Sequence, residues 1–116
     1  MARPQRCRKI CALPKHPLFS PENGATGQTV LSLDEYETIR LMDCEGLTHE
    51  QCAKMMQISR TTVTEIYAAA RRKLAEAVIK GRSLLIDGGS VRLCDRTEPC
   101  GSASCPKKTQ QTHRNM

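Results

Sequence analysis

The side chains best suited to chemistry in this chain form one short row, Ser59-Arg60-Thr61-Thr62-Val63. Ser59 is a preferred residue for starting a helix, because its hydroxyl group can accept a hydrogen bond from a free backbone N–H group. The polar side chains after it can donate and accept hydrogen bonds, and Arg60 adds a positive charge. Groups of this kind at the start of a helix suit the base edges in the major groove of DNA. The row therefore predicts contacts to duplex DNA.

The helix that begins at Ser59 is expected to turn one face outward. Val63 and Ile66 have the spacing of buried positions, so the side chains between them should face the groove. We expect Arg60 to pair with guanine, Glu65 to accept a hydrogen bond from cytosine N4, and a threonine to meet a thymine methyl group or a phosphate. The alternative is that the serine and the threonines only cap a solvated helix. The residues expected to contact DNA here are Ser59, Arg60, Thr61, Thr62, Thr64 and Glu65.

Basic residues predict a second kind of DNA contact, because phosphates attract lysine and arginine whatever the base sequence. One basic group follows later in the same helix, and we expect it to contact phosphates. Another lies near the start of the chain, and we expect it to follow a minor groove or the phosphate backbone. The alternatives are a solvated helix face and a disordered basic tail, respectively. The two groups are Arg71, Arg72 and Lys73, and Arg3, Arg6 and Arg8.

The chain has 7 cysteines, which is an odd number without an even spacing. They therefore indicate reduced thiols or metal ligands rather than structural disulfides. Four thiolates can bind zinc in a tetrahedral site or hold an iron-sulfur cluster, and redox sensing without metal and inert thiols are the alternatives. Cys44 and Cys52 fit the helical core pattern and are expected to be buried fillers. The expected metal ligands are Cys7, Cys11, Cys94, Cys100 and Cys105.

Composition narrows the class of protein. The net charge is +6, from 18 Lys+Arg against 12 Asp+Glu, and favours a polyanionic partner. Aromatic residues make up 3% of the chain, which is too few for a platform that stacks single-stranded nucleic acid. The sequence has no apolar run that could cross a membrane, no secretory signal, and no nucleophile elbow, phosphate loop or triad spacing. We therefore expect a cytoplasmic protein that is not an enzyme.

Two capping boxes and a serine cap predict three helices. In a capping box, two residues three positions apart each accept a hydrogen bond from the backbone N–H group of the other. This spacing occurs twice, in Ser32 with Glu35 and in Thr48 with Gln51. Apolar residues at helical spacing follow each cap, and a glycine ends the first and the third helix. We expect these helices to form a helix-turn-helix domain over residues 31–80.

The segments on either side of the predicted helix-turn-helix domain differ from it in composition. Residues 1–30 contain prolines and glycines that prevent regular structure, so we expect a basic, Pro-rich, extended arm. In residues 81–94 two apolar runs flank Gly88-Gly89, which predicts a β-hairpin. Residues 95–116 form a polar tail that contains cysteines, and we expect it to be disordered. The predicted fold is mainly α: a small helical helix-turn-helix bundle with an extended basic N-terminal arm and a C-terminal β-hairpin.

The third helix is longer than DNA reading requires. It spans about 30 Å, more than a major groove needs, so its second half should pack against something else. A second copy of the chain is one candidate, and two copies would read paired half-sites. We therefore expect a homodimer. The predicted buried stripe of this helix is Val63, Ile66, Ala70, Leu74, Ala77 and Val78.

Four runs of residues stand out between positions 31 and 80: Leu31-Ser32-Leu33-Asp34-Glu35-Tyr36-Glu37, Asp43-Cys44-Glu45-Gly46-Leu47-Thr48, Ile58-Ser59-Arg60-Thr61-Thr62-Val63 and Ala70-Arg71-Arg72-Lys73-Leu74. They give this segment a resemblance to the promoter-reading helix-turn-helix of sigma factors, their region four. It implies a helical core of three or four helices, with the helix that begins at Ser59 as the reading helix. The chain lacks any segment for melting promoter DNA or holding the polymerase core, so we do not expect a free-standing sigma factor. Contact with RNA polymerase stays open but is not indicated.

A narrower resemblance covers nearly the full chain up to Cys94. Ala2-Arg3-Pro4 with Cys7 and Cys11 at one end, and Gly88-Gly89 with Arg92-Leu93-Cys94 at the other, resemble the uncharacterised protein family 0251. That family consists of small bacterial and archaeal predicted DNA-binding proteins. The resemblance implies double-stranded DNA as the partner but neither a target sequence nor an effector.

Two functions of different classes follow from these patterns. The first is a sequence-specific DNA-binding protein that regulates transcription. The second is a metal-binding or thiol-redox protein that uses its helices only for contacts with other proteins. Salt-dependent binding to a preferred duplex would support the first, and metal or thiol chemistry that persists without Arg60 would support the second.

Overall fold

Three helices dominate the computed structural model, which describes residues 8–94. Helix α1 is Leu33–Ile39, α2 is His49–Met56 and α3 is Arg60–Lys80, and a π-helical segment, Arg40–Cys44, continues α1. The short strands are β1 (Arg8–Ile10), β2 (Leu18–Phe19), β3 (Gln28–Leu31), β4 (Ser83–Ile86) and β5 (Val91–Leu93). The prediction of three helices is confirmed. None of these helices is long and apolar enough to cross a membrane.

Both predicted capping boxes are present at the helix starts. Ser32 and Glu35 cap each other's backbone at α1, and Thr48 and Gln51 do the same at α2. These bonds use side chains to occupy N–H groups that lack a partner within the helix. The first turn of each helix is thereby defined by four or five neighbouring residues, so the sequence alone was enough to locate it.

A π-helical turn takes the chain from α1 toward α2. The N–H group of Glu45 donates to the carbonyl oxygen of Arg40, five residues earlier, at 3.0 Å. Gly46 then adopts a φ of 75°, which glycine reaches without strain. The helix predicted to run up to Gly46 therefore ends in a wider turn, and Leu41 within that turn is fully buried.

The predicted hairpin over residues 81–94 is wrong, although both of its strands form. Strand β4 pairs antiparallel with β2 and parallel with β3, whereas β5 pairs parallel with β1 in a separate two-stranded sheet. Between the two strands, the carbonyl oxygen of Gly88 accepts a hydrogen bond from Leu33 at the start of α1. A Cβ atom on Gly89 would lie 2.8 Å from Asp34 Oδ1, so this close approach requires glycine. The two glycines thus carry the chain across α1 instead of folding it back.

The extended arm predicted for residues 1–30 is also wrong for its described part. β1 and β2 pair with the C-terminal strands, and the Thr26 N–H group donates to the Gly81 carbonyl at 2.9 Å. These pairings satisfy backbone groups of both chain ends, which is why short segments at the two ends of the described chain fold together. The tail expected at 95–116 lies outside the described residues.

Two hydrophobic clusters share α3. The first packs the second half of α3 on the three-stranded sheet, and the second packs α2 and the first half of α3 against the π-helical segment. The predicted stripe of α3 is buried at most positions, but Val78 is 79% exposed and so is not part of the core. The buried members of the clusters are Leu31, Ala70, Ala77, Leu84 and Ile86, and Leu41, Cys52, Ala53, Met56 and Val63.

Candidate nucleic-acid interface

A tight turn fixes the angle between α2 and α3. Gln57 has φ 59° and ψ 45°, the left-handed conformation that usually selects glycine. The Gln57 N–H group donates to Lys54 O, and the Ile58 N–H group donates to Ala53 O at 3.0 Å. Ile58 also packs on the cluster that contains Ala53. These features together make a Schellman motif, so the turn holds α3 at a defined orientation despite the unfavourable residue at position 57.

Ser59 caps α3 as predicted. Its hydroxyl oxygen accepts a hydrogen bond from the Thr62 N–H group at 3.1 Å and lies 2.8 Å from Thr62 Oγ1. The side chains of Ser59 and Thr62 therefore engage each other at the helix start. Their first role is to define where α3 begins.

The face predicted to meet DNA points away from the core. Val63 and Ile66 are buried against the domain, whereas the polar side chains between them reach solvent. Ala68 and Ala69 continue this exposed face with small side chains, which sequence reasoning did not single out. Small residues would let a ligand approach the helix backbone closely. The exposed members of the predicted set are Ser59, Arg60, Thr61, Thr64 and Glu65, and Thr62 is partly buried.

A polar cluster that sequence reasoning missed supports this face from the side. His49 Nδ1 lies 2.9 Å from Thr64 Oγ1, and the ring of His49 packs edge-on against Tyr67. The Tyr67 hydroxyl donates to Asp43 at 2.7 Å, and this hydrogen bond, more than burial, raises the pKa of Tyr67 above its usual value. The turn between α2 and α3 brings positions 49 and 64 together.

The three basic residues of α3 have different surroundings. Arg71 lies over the Tyr67 ring at 5.3 Å and 3.8 Å from Asp43, while 61% of its side chain stays exposed. Arg72 is exposed, on the outer face of the helix. Lys73 instead points toward α1, where its Nζ atom lies 2.8 Å from Glu35 Oε1. Of these three residues, only Arg71 and Arg72 therefore present their charges to solvent beside the face predicted to meet DNA.

The basic N-terminal residues are only partly described. Arg3 and Arg6 lie outside the described residues. Arg8 is the first residue of β1 and lies 3.3 Å from Asp34 Oδ2, so it belongs to the folded domain rather than to a free arm. Any contact that Arg8 makes with DNA would have to compete with this ion pair.

The acidic residues of α1 serve the fold. Asp34 and Glu35 pair with basic residues of β1 and α3, and Glu37 is almost completely buried beside Arg40. Burial alone would lower the pKa of Arg40. The hydrogen bonds to Glu37 and the negative charge of Glu37 outweigh burial and raise this pKa above its usual value, and Cys11 and Glu45 add smaller effects in the same direction. The Glu37 carboxylate also accepts a hydrogen bond from the Cys11 N–H group at 3.1 Å.

Four cysteines lie in the described part of the chain: Cys11, Cys44, Cys52 and Cys94. Cys52 is buried as predicted, and burial raises the pKa of its thiol to about 12. Cys44 is exposed, so its prediction as a buried filler is wrong, because the π-helical segment turns it outward. Cys11 and Cys94 are buried and directly follow the paired strands β1 and β5, and residues 8–94 contain no group of three potential metal ligands. Three predicted ligands lie outside the described residues: Cys7, Cys100 and Cys105.

An apolar groove lies at the far end of α3 from the turn. It measures about 650 Å³ and runs between β2 and the helix, with Phe19, Leu74, Val78 and Leu84 in its walls. Phe19 is 53% exposed and Val78 is 79% exposed, and Ile79 beside the groove is 82% exposed. Large apolar side chains clustered in this way often mark an interaction surface.

A family model described as "Protein of unknown function DUF134" matches residues 1–94. This chain belongs to that family. The DUF134 chain is 51% identical over 98 residues to a UPF0251 protein of Desulfitobacterium hafniense strain Y51, which covers 82% of this chain and 78% of the relative. The predicted membership of the uncharacterised family 0251 is therefore confirmed.

Other relatives of this DUF134 protein are longer than the matched region. A UPF0251 protein of Caldicellulosiruptor saccharolyticus is 46% identical over 78% of this chain and 65% of its own length. A UPF0251 protein of Chlorobaculum tepidum is 41% identical over 90% of this chain, which spans 55% of that relative. No solved structure matches the DUF134 chain significantly.

Proposed function

We propose that this protein is a sequence-specific duplex DNA-binding protein that regulates transcription and reads the major groove with the start of α3. One observation carries the proposal: the polar face that contains Arg60, Thr61 and Glu65 is exposed at the start of a helix. The first turns of a helix are the part that reaches base edges in helix-turn-helix proteins. The resemblance to region four of sigma factors supports the same docking.

The surroundings of this face favour a groove ligand. The Schellman turn at Gln57 and the cap at Ser59 fix the helix start, so its side chains lose little freedom on binding. Ala68 and Ala69 leave room for the DNA backbone, and an alanine can pack on a thymine methyl group. Arg71 and Arg72 lie farther along the helix, where arginines can contact phosphates.

We further propose that two copies bind together, as a homodimer. One reading helix buries little surface, and paired half-sites raise affinity and specificity. The exposed pair Val78 and Ile79, with the groove beside Phe19, supplies an apolar surface at the end of α3 opposite to its reading start. This separation would leave both reading faces open in a dimer.

Selection of bound sequences from random duplexes tests the proposal. We expect a preferred site whose affinity falls steeply with salt concentration. Arg60→Ala should weaken that site by about 1–3 kcal/mol without changing the fold. Lys80→Ala is the matched control: it removes the same charge from the same helix, at an exposed position paired with Glu76 and far from the reading face.

Two results would count against the proposal. If no sequence is enriched and duplex binding is absent at low salt, the protein does not read DNA. If Arg60→Ala and Lys80→Ala bind the selected site equally well, Arg60 makes no base contact. The alternative class, a metal-binding or thiol-redox protein, predicts instead that cysteine chemistry persists unchanged in Arg60→Ala.

A further inference from the structure

A histidine side chain is held directly beside the face of α3 that is proposed to read DNA. His49 is the first residue of α2, and its Nδ1 atom lies 2.9 Å from Oγ1 of Thr64, an exposed residue of that face. The imidazole ring also packs edge-on against Tyr67, with 5.8 Å between the ring centroids. Two side chains of α3 therefore define the position and the orientation of the imidazole.

The contact with Thr64 also determines which ring nitrogen carries the hydrogen atom. A threonine hydroxyl group has a single hydrogen, and Thr64 donates it to the carbonyl oxygen of Arg60 at 3.1 Å. Thr64 can then only accept a hydrogen bond from His49, so Nδ1 is the nitrogen that carries hydrogen in the neutral ring. The neutral ring is left with a lone pair on Nε2, which can accept a hydrogen bond but cannot donate one.

Nε2 of His49 is open to a ligand. It lies on the opposite edge of the ring from the nitrogen that contacts Thr64. Within residues 8–94 it forms no hydrogen bond, and it is not among the buried polar atoms that lack a partner there. Solvent therefore reaches Nε2, and a group outside the domain can reach it too.

The phosphate backbone of DNA is the ligand expected at this position. In helix-turn-helix proteins the second helix enters the major groove while the first helix crosses the backbone. Helices α2 and α3 take these two roles if the start of α3 reads DNA, so the inference rests on the function proposed above. His49 opens α2 and is hydrogen-bonded to α3, which puts it between the groove and the backbone beside it.

We propose that His49 contacts a backbone phosphate through Nε2 and takes up one proton from solvent as it does so. A phosphate oxygen only accepts hydrogen bonds, and so does Nε2 of the neutral ring, so the two cannot bond until Nε2 gains a hydrogen. The imidazolium then donates from Nε2 to the phosphate and from Nδ1 to Thr64. DNA affinity should therefore rise as the pH falls.

The surroundings of the ring make His49 the group that responds to pH. The ionisable side chains that adjoin the ring by contact or in sequence are Asp43 of the π-helical segment, Glu50 of α2, and Arg60, Glu65, Tyr67 and Arg71 of α3. The hydrogen bond to Asp43 raises the pKa of Tyr67, so Tyr67 stays neutral at physiological pH. Histidine is the residue type in this set whose charge changes between about pH 5 and 8.

Titration of the selected duplex at several pH values from about 6 to 8 tests the proposal. For the unmodified full chain on a single half-site, we expect the dissociation constant to rise by up to about tenfold per pH unit. His49→Gln cannot take up a proton, so its affinity should be nearly independent of pH. His16→Gln is the matched control, because His16 is exposed between β1 and β2, and it should keep the full dependence.

The salt dependence of binding separates a phosphate contact from a structural role of His49. Each cation placed on a phosphate steepens the slope of log K against log salt concentration by about 0.9. The unmodified chain should therefore show a slope steeper by about this amount per bound chain at pH 6 than at pH 8. His49→Gln should show the same slope at both pH values. The measurement on the unmodified chain needs no variant, so it stays decisive if His49→Gln fails to fold.

Two results would overturn this inference and leave the proposed function standing. One is an equal pH dependence of DNA binding in the unmodified chain and in folded His49→Gln. The other is an equal salt slope of the unmodified chain at pH 6 and pH 8. Absence of duplex binding at both pH values would overturn the proposed function, and this inference with it.

Discussion

Lys73 Nζ lies 2.8 Å from Glu35 Oε1, and this ion pair joins the middle of α3 to the cap of α1. The same carboxylate accepts a hydrogen bond from the Ser32 N–H group at 2.9 Å, so one side chain completes a capping box and receives a lysine. Glu35 is 10% exposed and Lys73 is 37% exposed. Lys73 therefore contributes to the fold, although its neighbour Arg72 faces solvent.

Replacing Lys73 by methionine should lower the free energy of unfolding by about 1 kcal/mol, because a partly buried charged hydrogen bond is lost. Arg72→Met is the matched control and should leave stability unchanged while weakening binding to duplex DNA. Urea denaturation and DNA titration of both variants measure the two effects. If Lys73→Met keeps full stability and loses DNA affinity as Arg72→Met does, Lys73 belongs to the DNA interface instead.

Replacing Gln57 by glycine should stabilise the protein. A residue with a side chain pays about 1–2 kcal/mol to adopt the left-handed conformation, and glycine does not, although it loses more entropy on folding. We expect a net gain of roughly 0.5–1 kcal/mol in thermal or urea denaturation. Gln57→Ala is the control, since it removes the same side-chain groups but keeps the conformational cost. Equal stability of the glycine and alanine variants would contradict this explanation.

The parts of the fold predicted correctly are those defined by a few neighbouring residues. The caps at Ser32, Thr48 and Ser59 and the helix end at Gly81 depend only on local hydrogen bonds. The pairing of β1 with β5 joins residues at opposite ends of the described chain, and an apolar pattern in one strand does not name its partner. That is why the sequence suggested a hairpin where the structure has two sheets.

The sequence predicted the candidate interface only in part, as it did the fold. Helical spacing was enough to place Arg60 and Thr61 on the outer face of α3, because Val63 and Ile66 mark the buried side. It was not enough to show that Lys73 turns toward α1 or that His49 contacts Thr64, since both contacts depend on how helices cross. Val78 has the spacing of a buried residue but lies where the sheet beneath α3 ends in an open groove.

The buried thiol of Cys52 should make stability depend on pH in alkali. Burial raises its pKa from 9.0 to about 12, and the charge of Glu37 acts in the same direction. Because the folded-state pKa is the higher one, the contribution to stability is complete below about pH 9 and is lost as the pH rises toward 12. The unfolded chain releases this proton in that window, which costs about 1.4 kcal/mol per pH unit.

Urea denaturation between pH 9 and 11 under reducing conditions measures this effect. Other groups also titrate there, so the comparison is between slopes: Cys52→Ala should show a shallower fall in stability with pH than the unmodified protein. Cys44→Ala should keep the original slope, because the thiol of Cys44 is exposed. Parallel slopes for all three proteins would show that Cys52 ionises equally well in the folded state.

The exposed apolar end of α3 should hold two copies of the chain together. Val78 is 79% exposed and Ile79 is 82% exposed, so both apolar side chains are in contact with water in a single copy of the chain. Burial of an aliphatic side chain is worth about 1.5–3 kcal/mol, so a symmetric contact that covers both residues on both copies would favour a dimer. Val78→Lys should therefore shift the sedimentation coefficient from that of a dimer to that of a monomer. It should weaken binding to a paired half-site far more than binding to a single half-site.

Lys80→Ala is the control for this prediction. It changes the charge of the same helix end without altering its apolar surface, and it should leave the dimer intact. A monomer in the unmodified protein at micromolar concentration, or a dimer that survives Val78→Lys, would contradict this assignment of the surface.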